Sequence, residues 1–165
     1  MCSHFAMPSL KEIKTYLTTD LKLPLIVPKN IEDKFSAATQ IYPKSSSLVM
    51  LYSNNELKLV EKKWGYPSPF QKNRVLYNAR VERFYEEKPS MWDNSFARQR
   101  CIILASEFWE SSKQTYLASN NQTYHEHSSF TAIEEPMTLI AGIYQGNDFS
   151  MVTTVANNTV LPVHE

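Results

Sequence analysis

The chain has 165 residues with 17 basic and 17 acidic side chains, and the resulting net charge of +0 excludes a uniformly basic or acidic polyelectrolyte. Hydrophobic residues at 42% and charged residues at 21% are globular proportions, and this length suits one compact domain that buries roughly 70% of its unfolded surface. Only three glycines are present, Gly65, Gly142 and Gly146, and none has the spacing of G-x-G-x-x-G or of a P-loop, which excludes a nucleotide-phosphate cradle of the usual form.

In chain order, Pro8-Ser9-Leu10 followed by residues 11–17 predicts a short helix with Ser9 as its cap and Ile13, Tyr16 and Leu17 on one face. Pro24 and Pro28 break regular structure after that helix. Residues 47–52 and 57–60, separated by Asn54-Asn55, predict two strands joined by a tight turn. Further strands are expected at 100–105, 108–109, 115–117, 139–144 and 149–155. Strands outnumber helices, so the expected fold is α+β: a β-rich single domain wrapped around one core, with a few short flanking helices.

Charge is unevenly spread along this plan. Residues 1–57 sum to +1, residues 58–100 to +5 and residues 101–165 to −6, and every arginine lies between Arg74 and Arg100. Aromatic side chains from Trp64 to Phe96 interleave with that basic stretch, the combination used by single-strand nucleic-acid binders. Charge alone favours a solvated basic face set against an acidic C-terminal third. Two cysteines, Cys2 and Cys101, cannot build a disulfide framework or a four-thiolate zinc site. His125-Glu126-His127 lacks the i, i+4 spacing of a helical metal motif and reads as a solvated turn, so no metal and no cofactor are expected. No leader pattern or bilayer-length apolar run is seen, and the chain reads as a cytoplasmic monomer with no membrane partner.

Cys2 stands directly after the initiator methionine. Removal of Met1 would leave a 1,2-aminothiol whose α-amine, with an ordinary pKa near 7.7–8.0, is partly neutral at pH 7. Such an amine forms a Schiff base with an aldehyde, and the neighbouring thiol closes a thiazolidine ring. A carboxyl group and an imidazole are a minimal set for the proton transfers.

Downstream come Trp64-Gly65-Tyr66, Asn78-Ala79-Arg80-Val81-Glu82, Arg98-Gln99-Arg100-Cys101-Ile102-Ile103, Phe108-Trp109-Glu110, Thr153-Thr154-Val155-Ala156-Asn157 and Pro162-Val163-His164. In this order they resemble the SRAP (SOS-response-associated peptidase) family, whose members shield abasic sites in single-stranded DNA. The resemblance implies a twisted, barrel-like sheet and a covalent thiazolidine cross-link from Cys2 to the opened abasic sugar after Met1 removal. It also implies a self-processing peptidase activity and a lyase activity. Asn78 then matches the asparagine that positions Cys2 and the sugar, Glu110 the proton shuttle, and His164 the histidine that assists proton transfer and reversal. Arg80 matches a phosphate-gripping arginine and Thr153 a hydroxyl near the DNA backbone. Phe70 takes the place of a base wedge, Pro43 falls near a proline lining the site, and His4 replaces an arginine beside the nucleophile. Ser3 replaces the family's glycine. With only Glu165 after His164, the single domain 1–165 is expected to lack the family's C-terminal end. A non-catalytic single-strand-binding module of the same fold, or an N-terminal-cysteine amidohydrolase, are the alternative readings.

Overall fold

The computed structural model describes residues 2–164, with the side chain of His164 outside the described part. Strand β1 (Cys2–Met7) leads into α1 (Leu10–Thr15), which passes into a π-type turn (Tyr16–Asp20). Next in the chain are β2 (Leu25–Ile26), α2 (Lys29–Glu32), β3 (Thr39–Ile41), β4 (Ser46–Ser53), β5 (Glu56–Trp64), β6 (Tyr66–Pro67), β7 (Val75–Leu76) and β8 (Asn78–Arg80). After a 3-10 turn (Val81–Tyr85) come α3 (Asp93–Arg98), β9 (Arg100–Ala105), β10 (Glu107–Leu117), β11 (Thr123–Phe130), β12 (Thr138–Gln145), β13 (Asp148–Thr153) and α4 (Leu161–His164).

Local chemistry accounts for several of these boundaries. Ser9 caps α1 through a reciprocal capping box, its hydroxyl accepting from the Glu12 amide while the Glu12 carboxylate accepts from the Ser9 amide at 2.8 Å. Leu10 and Ile13 are buried on the inner face. The expected helix over 11–17 therefore starts one residue early, and its last turn widens to a π-type turn closed by the Leu21 amide on the Tyr16 carbonyl at 2.9 Å. Asn54 and Asn55, with φ of 52° and 62°, make the two-residue turn between β4 and β5, because short polar side chains tolerate left-handed backbone.

The main sheet runs β2-β5-β4-β9-β12-β13-β8, and a further pairing of β5 with β13 closes five of its strands into a barrel. Closure is parallel, Asp148 opposite Lys63 and Phe149 opposite Trp64, whereas the other barrel ladders are antiparallel. The second sheet runs β11-β10-β1-β3. Between them lies a core of Phe5, Met7, Leu48, Leu59, Trp64 and Phe149, none of them exposed to solvent. Each such side chain contributes about 1.5–3 kcal/mol of burial. Trp64 also donates its indole N–H to the Tyr77 carbonyl at 2.8 Å. Gly65 beside it has φ +117°, and a Cβ there would sit 2.8 Å from Val75, so only glycine fits this crossing.

Three expectations change. Residues 108–109 and 115–117 belong to one strand, β10, interrupted by a register shift between Ser111 and Thr115. His125-Glu126-His127 lies within β11 instead of a turn. The last barrel strand stops at Thr153, not at Val155. Among the described residues no helix is long and apolar enough to cross a membrane.

Candidate active site

Cys2 and Glu110 face each other because β1 is bulged. His4 pairs with Trp109, Phe5 with Phe108, and yet Cys2 pairs with Glu110, so two residues of β1, Cys2 and Ser3, stand against one residue of β10. In a regular strand Cys2 and His4 would point to the same side. The extra residue turns Cys2 to the opposite side, with Phe5, Phe108 and Glu110. Both Cys2, at 2% exposure, and Glu110, at 8%, are buried there.

The second sheet thus meets the far end of β13 at a cleft of about 350 Å³. Cys2, Phe108 and Glu110 form one wall, Ile140 and Thr153 another, and Arg80 and residues 154–157 the rim. β8 runs beside β13 with Asn78 opposite Met151 and Arg80 opposite Thr153. That register brings the Asn78 amide N–H to the Cys2 carbonyl at 3.1 Å. The Asn78 Oδ1 and Thr153 Oγ1 atoms are buried and have no hydrogen-bond partner among the described residues. A larger depression of about 640 Å³ near Lys58, Lys62 and Asn147 is polar and does not reach Cys2.

Burial, reinforced by the Glu110 carboxylate, pushes the Cys2 thiol up to about 12, partly offset by the backbone of Trp109 and His4 and by the N-terminal charge. The thiol donates to the His4 carbonyl at 3.4 Å. A protonated thiol is the species present near neutrality. Arg80 donates its Nε–H to Glu82 at 3.1 Å, and the same carboxylate accepts from the Thr154 hydroxyl at 2.9 Å and the Val155 amide at 3.0 Å.

Five of the expected site residues therefore come together: Cys2, Asn78, Glu110, Arg80 and Thr153. Three lie elsewhere. The His4 ring is on the other side of the second sheet, stacked between Trp109 at 4.3 Å and Tyr42 at 5.0 Å, with His127 at 6.0 Å. Burial and the neighbouring His127 draw its pKa down, opposed by Glu107. Phe70 is 89% exposed in the loop between β6 and β7, and Pro43 is half-buried in the turn between β3 and β4; neither lines the cleft. The His164 side chain falls outside the described residues, although the backbone of α4 packs against β10, the strand of Glu110. Ile140 and Val152 line the cleft without any mark in the sequence, since each is an ordinary apolar strand residue, and Phe108 lines it from within the Phe-Trp-Glu motif, which implies no role for the ring. Glu82 closes the Asn-Ala-Arg-Val-Glu motif, and the motif by itself implies no role for it. Among the described residues no cluster of three or more His, Cys, Asp or Glu could hold a metal.

Solved structures of similar fold include a phage-related protein from Bordetella bronchiseptica, 19% identical, with a TM-score of 0.60 over 93% of this chain and 69% of that one. A protein from Bacteroides thetaiotaomicron is 17% identical, with a TM-score of 0.65 over 99% of this chain and 72% of that one. Both likenesses extend to the fold alone. No curated protein matches the chain. The family model described as SOS response associated peptidase (SRAP) matches residues 1–165. With the motifs in order and a buried cysteine beside the N-terminus, the chain belongs to the SRAP family.

Proposed function

We propose that this protein captures abasic sites in single-stranded DNA as a thiazolidine on Cys2, after Met1 has been removed. The observation that carries the reading is the bulged pairing that sets Cys2 against Glu110 inside a cleft, with Asn78 on the Cys2 carbonyl. Family membership supports the same chemistry.

These groups supply each step. The α-amine attacks C1′ of the ring-opened sugar, and Glu110 takes the proton that the nitrogen sheds. Glu110 delivers it to the new alkoxide to give a carbinolamine, then relays the second nitrogen proton to that hydroxyl, so water leaves and a neutral Schiff base forms. The thiol then adds to the C=N carbon, and Glu110 carries its proton to the nitrogen, which takes the C=N electron pair and becomes the ring N–H. A thiol held protonated makes the amine the first nucleophile and the sulfur the second. Asn78 Oδ1 is an open acceptor for the amine, and Thr153 Oγ1 faces the sugar side of the same cleft. Arg80 meets a phosphate at the rim, and exposed Phe70 offers a stacking surface farther along the strand. Self-processing by the same residues releases Met1 from Cys2, and His164 assists reversal.

Incubation with an abasic single-stranded oligonucleotide, resolved on a denaturing gel, tests the reading. Protein beginning at Cys2 gives a heat-stable adduct, Cys2→Ala gives none, and Cys2→Ser gives only a Schiff base that requires borohydride trapping. Absence of adduct from protein whose intact mass shows a free Cys2 refutes it, as does an adduct from protein that fully retains Met1.

A further inference from the structure

The Glu82 carboxylate ties together two parts of the cleft that are far apart in sequence. Its Oε2 accepts from the Nε–H of Arg80, while Oε1 accepts from the Thr154 hydroxyl and the Val155 amide. The β8–β13 ladder ends at Arg80 opposite Thr153, so this side chain continues across the gap where backbone pairing stops. Residues 154–157 line the cleft, yet Val155 is 65% exposed and Thr154 is exposed, so burial does little to hold the segment.

We propose that Glu82 is a positioning residue that fixes both the Arg80 guanidinium and the 154–157 wall for the DNA strand. This rests on the proposed capture of abasic DNA. The Nε of Arg80 is engaged, and its two terminal nitrogens make no hydrogen bond to any described residue. They form the end of the fork that meets phosphate oxygens two at a time. Without Glu82 the guanidinium would sample several rotamers, and binding would have to order it. The second arm holds Thr153 and the segment after it at the depth of Cys2. Retention of the carboxylate's charge far into acid, with its pKa lowered to about 2 by its own backbone amide and then by Thr154, Val155 and Arg80, agrees with this tight set of donors.

The two arms separate by substitution. Glu82→Gln keeps a carbonyl oxygen for Thr154 and Val155 but sets an N–H against the Arg80 Nε–H; Glu82→Ala removes both arms. Strand affinity is read by fluorescence anisotropy with an abasic-free oligonucleotide, and adduct formation by single-turnover rates at saturating abasic strand. Glu82→Gln should weaken binding by about tenfold, the loss of one well-placed charged hydrogen bond, with a maximal adduct rate within about twofold of wild type. Glu82→Ala should weaken binding similarly and also slow the maximal rate by about tenfold or more. In an Arg80→Ala background, Glu82→Gln should cost no further affinity. Tighter binding by Glu82→Gln would show the carboxylate to be a mere counter-charge and would overturn the proposal. So would equal losses of adduct rate in the two variants that track equal falls in thermal midpoint. If wild type binds strand but forms no adduct, the parent reading fails, while the anisotropy cycle with Arg80→Ala still decides the Arg80 arm.

Discussion

Replacing Glu110 with glutamine should make Cys2 more reactive toward an alkylating reagent and less reactive toward an abasic site. The thiol is pushed from its ordinary value of 9.0 to about 12, with burial the larger cause and the Glu110 charge the second. Removing that charge leaves burial as the main cause and lowers the thiol's pKa, so more of the thiol is thiolate at a fixed pH. A less basic thiolate is also a weaker nucleophile, with a Brønsted slope of about 0.4–0.5, so roughly half of the logarithmic gain in thiolate survives as faster alkylation. The assay is peptide-resolved mass spectrometry after timed exposure to iodoacetamide, with buried Cys101, itself pushed up to about 12, as the internal reference. Adduct formation by the same variant should fall by about a hundredfold or more, the usual share of a proton shuttle. Unchanged or slower alkylation of Cys2 in Glu110→Gln, with Cys101 unaffected, would show that the carboxylate does not reach the thiol and would refute the reasoning.

Arg80→Ala should weaken binding of single strands about equally for all sequences and lower the log–log salt slope by about 0.7, one phosphate's worth; an unchanged slope places the arginine off the DNA. Phe70→Ala should shift the urea midpoint little, given 89% exposure, but lower strand affinity by about 1–3 kcal/mol if a base stacks there, and equal affinity removes it from the interface. Gly65→Ala combines φ +117° with a Cβ 2.8 Å from Val75 and should destabilise by about 1–3 kcal/mol in urea unfolding, whereas a neutral change would show that Val75 gives way freely. Because Glu82 titrates lower in the folded chain, its contribution to stability is full above about pH 4.5 and is lost as pH falls toward about 2. Glu82→Gln should therefore flatten the acid limb of the stability curve in that window, and a superimposable limb would contradict it.

The features legible in the sequence are local or held in ordered motifs. The Ser9 cap with Glu12 and the Asn54-Asn55 turn are each decided by groups a few residues apart, and both form where expected. The strand pattern implies a β-rich α+β architecture and the family resemblance a barrel-like sheet, but neither gives the closing ladder. Asp148 meets Lys63 across 85 positions, and nothing in either strand's alternation names the other. Residues 113–114, between the expected strands at 108–109 and 115–117, hide their place in β10 because both are exposed and the ladder shifts register between Ser111 and Thr115, so no apolar face marks the period. The same reason conceals β11, whose first five residues are exposed on both sides.

The bulge at Ser3 is the more instructive case, since the chemistry depends on it. Counting along β1 puts Cys2 on the side of His4, where Tyr42 and Trp109 stack, and away from Glu110. Only the register with β10, fixed by Phe5 on Phe108 and His4 on Trp109, forces two residues against Glu110 and turns the thiol inward. Ser3 Oγ, the side chain of the extra residue, is left to donate to the Trp109 carbonyl at 3.3 Å, a tie that costs no burial. A cysteine next to the N-terminus is common in sequence; one delivered into a cleft beside a carboxylate requires an extra residue in β1 and a partner strand that stays in step after it.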